Sequence, residues 1–365
     1  MPFSSPMIYI LLLLLLPVRI FGCGMDPYQS PFQVRPPSCF HPPTSLPKFT
    51  NTTTAEDVAT VFAKQIRGKN VLITGTSMNG LGFENARVVA KHANLVIITG
   101  YNAERLKLSE QAIKKEVPNA NIRPLLVDLS SLAAVRKAAA EVNAYPEPLH
   151  VVIHNAATVI GPFKLTADKL ESQMATAHFG PFLFTKLIVP KILATGTTKY
   201  TPRVVFLSSS AHAMSGVDLD TLAHPDKEKY TPFSAYAQSK SATILDAIEL
   251  SKRSKGKINA YSVSPGAIFT NINQKEESKA DMQAFGILTA EGLPNTAAFP
   301  WKTIPEGAAT TLIAAFDPRL DTTPGAYLAD SVVANELIAS HSSDPETATK
   351  LWTITEKIVG EQFTF

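Results

Sequence analysis

Residues 70–100 read NVLITGTSMNGLGFENARVVAKHANLVIITG, and this stretch decides the fold. It opens on a short apolar run and turns through Thr74 to Gly82, with glycines at 75, 80 and 82. A helical pattern follows in ENARVVAKHA, and the stretch closes on a second apolar run, LVIITG. Apolar runs of strand length separated by a helix-length segment describe a βαβ unit with parallel strands. The alternation continues outward: IRPLLVD precedes LAAVRKAAAEV, HVVIHN precedes a helical stretch near 168–195, RVVFLSS precedes another near 233–254, and INAYSVSPG follows. Parallel strands need covering on both faces, so the expected fold is an α/β three-layer sandwich with a mainly parallel, doubly wound sheet.

The rest of the chain bounds that reading. With 365 residues and 45% hydrophobic content, one large α/β domain with extensions can bury a sizeable core. Thirty-four Lys and Arg against 31 Asp and Glu leave a formal charge of only +3, which argues against nucleic acid as a partner. Cys23 and Cys39 both precede residue 40, which excludes a cysteine nucleophile or a thiolate metal site from the body of the chain; no metal is expected.

Residues 7–18, MIYILLLLLLPV, read as the core of a hydrophobic targeting segment spanning 1–22. As a helix this run covers ~18 Å, short of the ~30 Å hydrocarbon layer, so a cleaved signal peptide leads and an uncleaved anchor is the alternative. The expected location is accordingly the secretory pathway or outside the cell; with the anchor it is a membrane-associated protein whose catalytic domain faces the cytosol. Seven prolines from Pro27 to Pro47 mark 23–54 as a linker without regular structure. Asn51-Thr52-Thr53 within it satisfies the N-glycosylation pattern, as expected of a glycoprotein. The dinucleotide-binding domain is expected over 55–340, followed by a C-terminal helical extension over 341–365.

Glycines at a strand-to-helix turn let the backbone approach a ligand closely, and the helix N-terminus that follows offers unpaired amides and a positive dipole end to a pyrophosphate. Placed after the first strand of a βαβ series, the turn 74–82 therefore points to a Rossmann-type dinucleotide site. Gly75 and Gly80 are separated by four residues, and Asn79 can absorb the added length by taking a left-handed conformation.

From these residues on, over about 60–335, the chain resembles the short-chain dehydrogenases/reductases, particularly the branch of retinol-dehydrogenase-like and fungal reductases. Asp128-Leu129 resembles that family's adenine-contacting pair, and His154-Asn155-Ala156-Ala157 resembles its NNAG segment, with His154 and Ala157 departing from it. Ser209 matches the catalytic serine, Tyr236-Ala237-Gln238-Ser239-Lys240 the YxxxK motif, and Pro265-Gly266 with Thr270 the segment whose threonine can hold the nicotinamide amide. GAATTLIAAF and GAYLAD resemble the closing helix and strand. The resemblance implies a cofactor site built from Gly75, Ser77, Asn79, Gly80, Leu81, Gly82, Tyr101, Asp128, Leu129, Asn155, Ala156, Tyr236, Lys240, Pro265, Gly266 and Thr270.

It further implies Tyr236 as acid/base, Lys240 as its electrostatic partner and ribose binder, and Ser209 as donor to the substrate oxygen. The spacing suits that chemistry, because residues four apart on a helix share a face. A phenol titrates near ~10 and needs a neighbouring cation to shuttle protons at neutral pH. Ala177 stands where the family normally has an active-site asparagine that helps position a water. His178, next to it, points about 100° away on a helix and reads as a packing or surface residue.

After the second strand, Tyr101-Asn102 supplies no acid to hold a ribose 2′-hydroxyl, which favours NADP, while Tyr101 standing where related reductases often have Arg keeps NAD as the alternative; Arg105 can reach toward a phosphate or equally face solvent as a helix residue. Residues 271–304 fall where the family places its variable substrate lid, and their Met, Phe, Leu and Trp content points to an apolar ketone, aldehyde or secondary alcohol. The same residues could serve a homo-oligomer contact. The expected function is thus hydride transfer between NADP(H) and such a substrate. The alternative, motivated by Ala177, is a catalytically weak nucleotide-binding regulatory or scaffold protein.

Overall fold

The computed structural model describes residues 46–158 and 160–365. The apolar run 7–18, most of the proline-rich segment, Cys23 and Cys39 lie outside the described residues. Among the described residues ten strands form in chain order: β1 (Asn70–Ile73), β2 (Leu95–Gly100), β3 (Ile122–Leu126), β4 (Val151–His154), β5 (Arg203–Leu207), β6 (Asn259–Ser264), β7 (Ala267–Ile268), β8 (Trp301–Lys302), β9 (Tyr327–Ala329) and β10 (Val332–Val333). Eight of them make one sheet ordered β10-β9-β6-β5-β4-β1-β2-β3, and β7 and β8 form a separate parallel pair. Every neighbouring pair in the large sheet is parallel except β9 and β10. The antiparallel closure turns through Asp330 and Ser331, both with positive φ, as a two-residue hairpin turn of the twist-compatible hand requires.

Consecutive residues of the inner strands enter opposite layers, which is why those strands read as unbroken apolar runs. Leu72, Leu95, Ile97, Val152, Val204 and Phe206 face one core with Val135, Phe184 and Leu245. Val71, Ile73, Val96, Ile98, Val151, Ile153 and Val205 face the other with Val58, Phe62 and Leu312. The result is the expected Rossmann-type α/β sandwich with a mostly parallel sheet.

Local signals start the helices that matter for the site. Thr231 accepts the Ser234 N–H and Pro232 occupies the first turn, opening the long helix Pro232–Ser254. Thr303 and Glu306 cap each other's backbone at the start of Ile304–Phe316. At the carboxyl end, Asp344 caps Pro345–Val359, and Gly360 ends it with φ 68°. Residues 175–179 form a π-turn that continues into the helix Gly180–Leu193. Gly180 is required at that junction, because a Cβ there would lie 2.2 Å from the Leu129 carbonyl oxygen.

The expected membrane association, with its signal-peptide, membrane and glycoprotein readings, is corrected here. Among the described residues no helix is long and apolar enough to cross a membrane. The longest helix, Pro232–Ser254, carries Lys240, Asp246, Glu249, Lys252 and Arg253, which no hydrocarbon layer would accommodate at low cost. Asn51 belongs to a polar turn in which the Thr50 N–H donates to Thr53 Oγ1 at 2.8 Å, leading into the Thr54 cap of the helix Ala55–Val61.

Candidate active site

The sheet order reverses between β1 and β4, so the loops leaving their carboxyl ends diverge and open a crevice. The glycine turn leaves β1, Asn155 and Ala156 leave β4, Ser208 and Ser209 leave β5, and Pro265 leaves β6. One edge of the sheet therefore carries all four segments.

The glycine turn is shaped by close approach. A Cβ on Gly75, whose φ is +70°, would meet Ala156 Cα at 2.8 Å, and one on Gly82 would meet Asn155 Nδ2 at 2.4 Å and the Gly75 oxygen at 2.5 Å. Asn155 braces the turn by donating Nδ2 to the Thr74 and Gly75 carbonyls, each at 2.9 Å, while Thr74 Oγ1 accepts the Asn155 and Ala156 N–H groups, each at 3.0 Å. Asn79 has φ 60°, the left-handed conformation that absorbs the extra residue. Gly80 begins the helix Leu81–Val89 with no side-chain cap, which leaves its first amides free for an anion. Asp128 is exposed, with Oδ1 turned onto Ser130, and Tyr101 lies exposed at the end of β2.

Ser209, Tyr236 and Lys240 come together. Burial pushes the Tyr236 phenol's pKa up, and the neighbouring Ser209 hydroxyl partly offsets that push. Lys240 is 3% exposed; its Nζ lies 5.4 Å from the Tyr236 ring centroid and donates to the Leu207 carbonyl at 3.0 Å. Burial lowers the lysine pKa to about 8. Ser209 is held from behind by His212, whose Nδ1 meets the Ser209 carbonyl at 2.7 Å. His212 Nε2 accepts the Ala339 N–H at 3.2 Å, so Nδ1 is the donor to Ser209.

Apolar side chains pack beside Tyr236. Ile160, Met282 and Leu288 form a small cluster against which Phe233, Tyr236, Phe269, Ile287 and Trp301 pack. Met282, Ile287, Leu288 and Trp301 come from the 271–304 segment, which folds as a turn (Asn271–Gln274), a helix (Glu276–Ala284) and β8. Thr270 starts that segment; its hydroxyl accepts the Ile272 N–H at 3.3 Å and lies 3.3 Å from Asn273 Oδ1. Gly266 has φ +94° and lies against the stem of Lys302, which is ion-paired to Asp330.

Two histidines near the site are buried and hydrogen-bonded. His154 is buried, stacks on Phe206 with ring centroids 5.1 Å apart, and meets Thr185 Oγ1 at 2.7 Å; burial lowers its pKa to about 3. His178 is fully buried and bridges Asp246 (2.8 Å) and Thr355 (2.7 Å), tying the π-turn to the long helix and to the C-terminal helix. Ala177 beside it is buried and brings no polar atom.

The family model described as short chain dehydrogenase matches residues 69–281. The chain is 35% identical over 314 residues to the chloroplastic short-chain dehydrogenase TIC 32 A of Brassica napus, covering 84% of this chain and 92% of that protein. It is 30% identical to the short-chain dehydrogenase/reductase prx1 of Penicillium roqueforti, covering 80% of this chain and 86% of that one. Among solved structures, a 3-oxoacyl (acyl-carrier-protein) reductase of Agrobacterium tumefaciens with NADP bound superposes with a TM-score of 0.54 at 20% identity, covering 73% of this chain and 95% of that one.

Proposed function

Because the chain belongs to the short-chain dehydrogenase/reductase family, we propose that it is an NADP(H)-preferring oxidoreductase interconverting an apolar ketone or aldehyde and its alcohol. The observation that carries this reading is the grouping of Ser209, Tyr236 and Lys240, with Tyr236 packed against an apolar cluster, on the sheet edge that also bears the glycine turn. The turn fits a dinucleotide: Gly75 and Gly82 let it fold tightly against Ala156 and Asn155, and the helix after Gly80 has no side chain competing for its amides. Gly75, Ser77, Asn79, Gly80, Leu81 and Gly82 would hold the pyrophosphate. Tyr101, Asp128, Leu129, Asn155 and Ala156 would flank the adenosine, and Lys240, Pro265, Gly266 and Thr270 the nicotinamide half. The retinol-dehydrogenase-like and fungal reductase branch belongs to the same proposal, supported by the lengthened turn and the Penicillium relative.

When bound, the nicotinamide exchanges a hydride with the substrate carbon. Tyr236, kept protonated by burial, gives its proton to the carbonyl oxygen while Ser209 orients that oxygen with a hydrogen bond. The Lys240 ammonium stabilises the phenolate that remains, and the apolar wall keeps water from competing for the oxygen.

This assigns a pH dependence. Lys240 loses its charge as pH rises through about 8, and the phenolate then loses its supporting cation. The kcat/KM for carbonyl reduction is expected to be level below that pH and to fall above it by about tenfold per unit, as a single ionisation requires. A profile level to pH 10 would remove Lys240 from this role.

Ala177 favours a second reading, a nucleotide-binding regulatory protein with little turnover, because no polar atom stands at that position. Ala177→Asn distinguishes the two. A large gain from a nearly inactive parent supports the second reading, whereas brisk turnover in the parent with no gain removes it.

A further inference from the structure

Residues 339–342 lie outside 69–281, the stretch that carries the family match, yet they close on the back of the active site. Ser209 opens the short turn Ser210–Met214, and its Oγ accepts the Ala211 N–H at 3.2 Å, which leaves the hydroxyl hydrogen to donate outward. The Ser209 carbonyl accepts twice from His212, from the backbone N–H at 3.1 Å and from ring Nδ1 at 2.7 Å. A carbonyl only accepts, so Nδ1 carries a proton. His212 is buried, its ring edge-on to Tyr327 at 5.3 Å. Burial holds the ring's pKa down against the pull of the Ser209 and Leu337 carbonyls, and the nearby His341 adds to the lowering. The neutral ring therefore keeps Nε2 as an acceptor, and the Ala339 N–H meets it at 3.2 Å. Two further residues of the segment close the contact. His341 Nε2 donates to the His212 carbonyl at 2.9 Å, and it lies so close to Gly216 that a Cβ there would be 3.1 Å from His341 Cβ. Ser342 Oγ bonds Ser241 Oγ at 2.9 Å, and Ser241, next to Lys240, donates to the Ser215 carbonyl at 2.6 Å.

We infer that residues 339–342 are a working part of the site: the Ala339 N–H holds His212 in its Nδ1–H form, and His212 in that form is a positioning residue that aims the Ser209 hydroxyl at the substrate oxygen. The inference rests on the reading of Ser209 as donor to that oxygen. In the other tautomer, Nδ1 would turn a lone pair on the Ser209 carbonyl and Nε2 an N–H on the Ala339 N–H, so one misplaced proton breaks both bonds. The peptide plane after Ser209 then loses its ring anchor. That plane sets the extended backbone of Ser209, φ −163° and ψ 155°, and with it the direction of the hydroxyl.

The test measures NADPH affinity, and kcat and KM for an apolar aldehyde, in the full chain with His212→Phe, His212→Asn, His212→Gln and Ser209→Ala. Phenylalanine keeps a ring against Tyr327 and loses both nitrogens. Asparagine keeps a donor near the Nδ1 position but cannot reach Ala339, whereas glutamine keeps an acceptor for Ala339 but has no donor at Nδ1. The phenylalanine and glutamine variants are expected to lower kcat by about tenfold to a hundredfold, the scale on which misplacing a reacting group acts, with KM and NADPH affinity near the parent values. His212→Asn is expected to restore kcat to within a few-fold. Ala339→Pro removes the N–H at a residue whose φ of −63° proline adopts, after an extended Ile338. It is expected to lower kcat in the parent and to add nothing in His212→Asn. The inference is overturned if His212→Phe keeps the parent kcat, if His212→Asn fails to rescue, or if Ala339→Pro is silent in the parent. A folded parent that reduces no carbonyl, or one unmoved by Ser209→Ala, overturns the reading of Ser209 itself, an outcome separate from the other three.

Discussion

Tyr236→Phe is expected to lower carbonyl reduction by about a hundredfold to ten-thousandfold, the range a positioned general acid contributes, while NADPH binding stays near the parent value. The substitution removes one oxygen. The ring keeps its place among Ile160, Met282 and Phe233, and Lys240 keeps its bond to the Leu207 carbonyl. What is lost is the phenol hydroxyl beside Ser209 and the proton it would deliver. Steady-state rates with an apolar aldehyde, together with a cofactor titration, separate chemistry from binding. Turnover within a few-fold of the parent would show that the proton comes from elsewhere.

Trp352→Ala is expected to cost about 3–5 kcal/mol of stability, the usual range for emptying a large aromatic site in a core. Trp352 is 2% exposed and lies edge-on to Phe182 at 4.7 Å, against Phe363 at 4.8 Å and under the Arg253 guanidinium at 5.2 Å. Its Nε1 donates to Glu356 at 3.1 Å. The consequence reaches the site, because the same C-terminal segment holds the machinery from behind: Ala339 bonds His212, which supports Ser209, and Ser342 bonds Ser241 on the helix that carries Tyr236 and Lys240. Denaturant unfolding measures the loss. A change below about 1 kcal/mol would mean that the extension is an appendage and not part of the core.

The features legible in the sequence are those that local chemistry specifies. Strands buried on both faces appear as apolar runs, so β1, β2, β4 and β5 could be read directly, and the glycine spacing announced both the turn and the left-handed Asn79. The YxxxK spacing placed Tyr236 and Lys240 on one helical face. Features that depend on distant pairing left no such mark. His178 lies 68 residues from Asp246 and 177 from Thr355, and only the folded chain reveals their bridge. His212 could have been noticed as the residue three past the catalytic-type serine, but its partner Ala339 is a backbone amide without a sequence signature.

The central claim, that this site moves a hydride between a nicotinamide and an apolar carbonyl, is tested most directly by label transfer. The full chain is incubated with NADPH deuterated at the transferable ring position and a series of apolar aldehydes and ketones, and the alcohols are analysed by mass spectrometry. The account predicts deuterium at the carbinol carbon with the parent and its loss with Tyr236→Phe. A folded parent that binds NADPH yet transfers no deuterium to any of these carbonyls would contradict it.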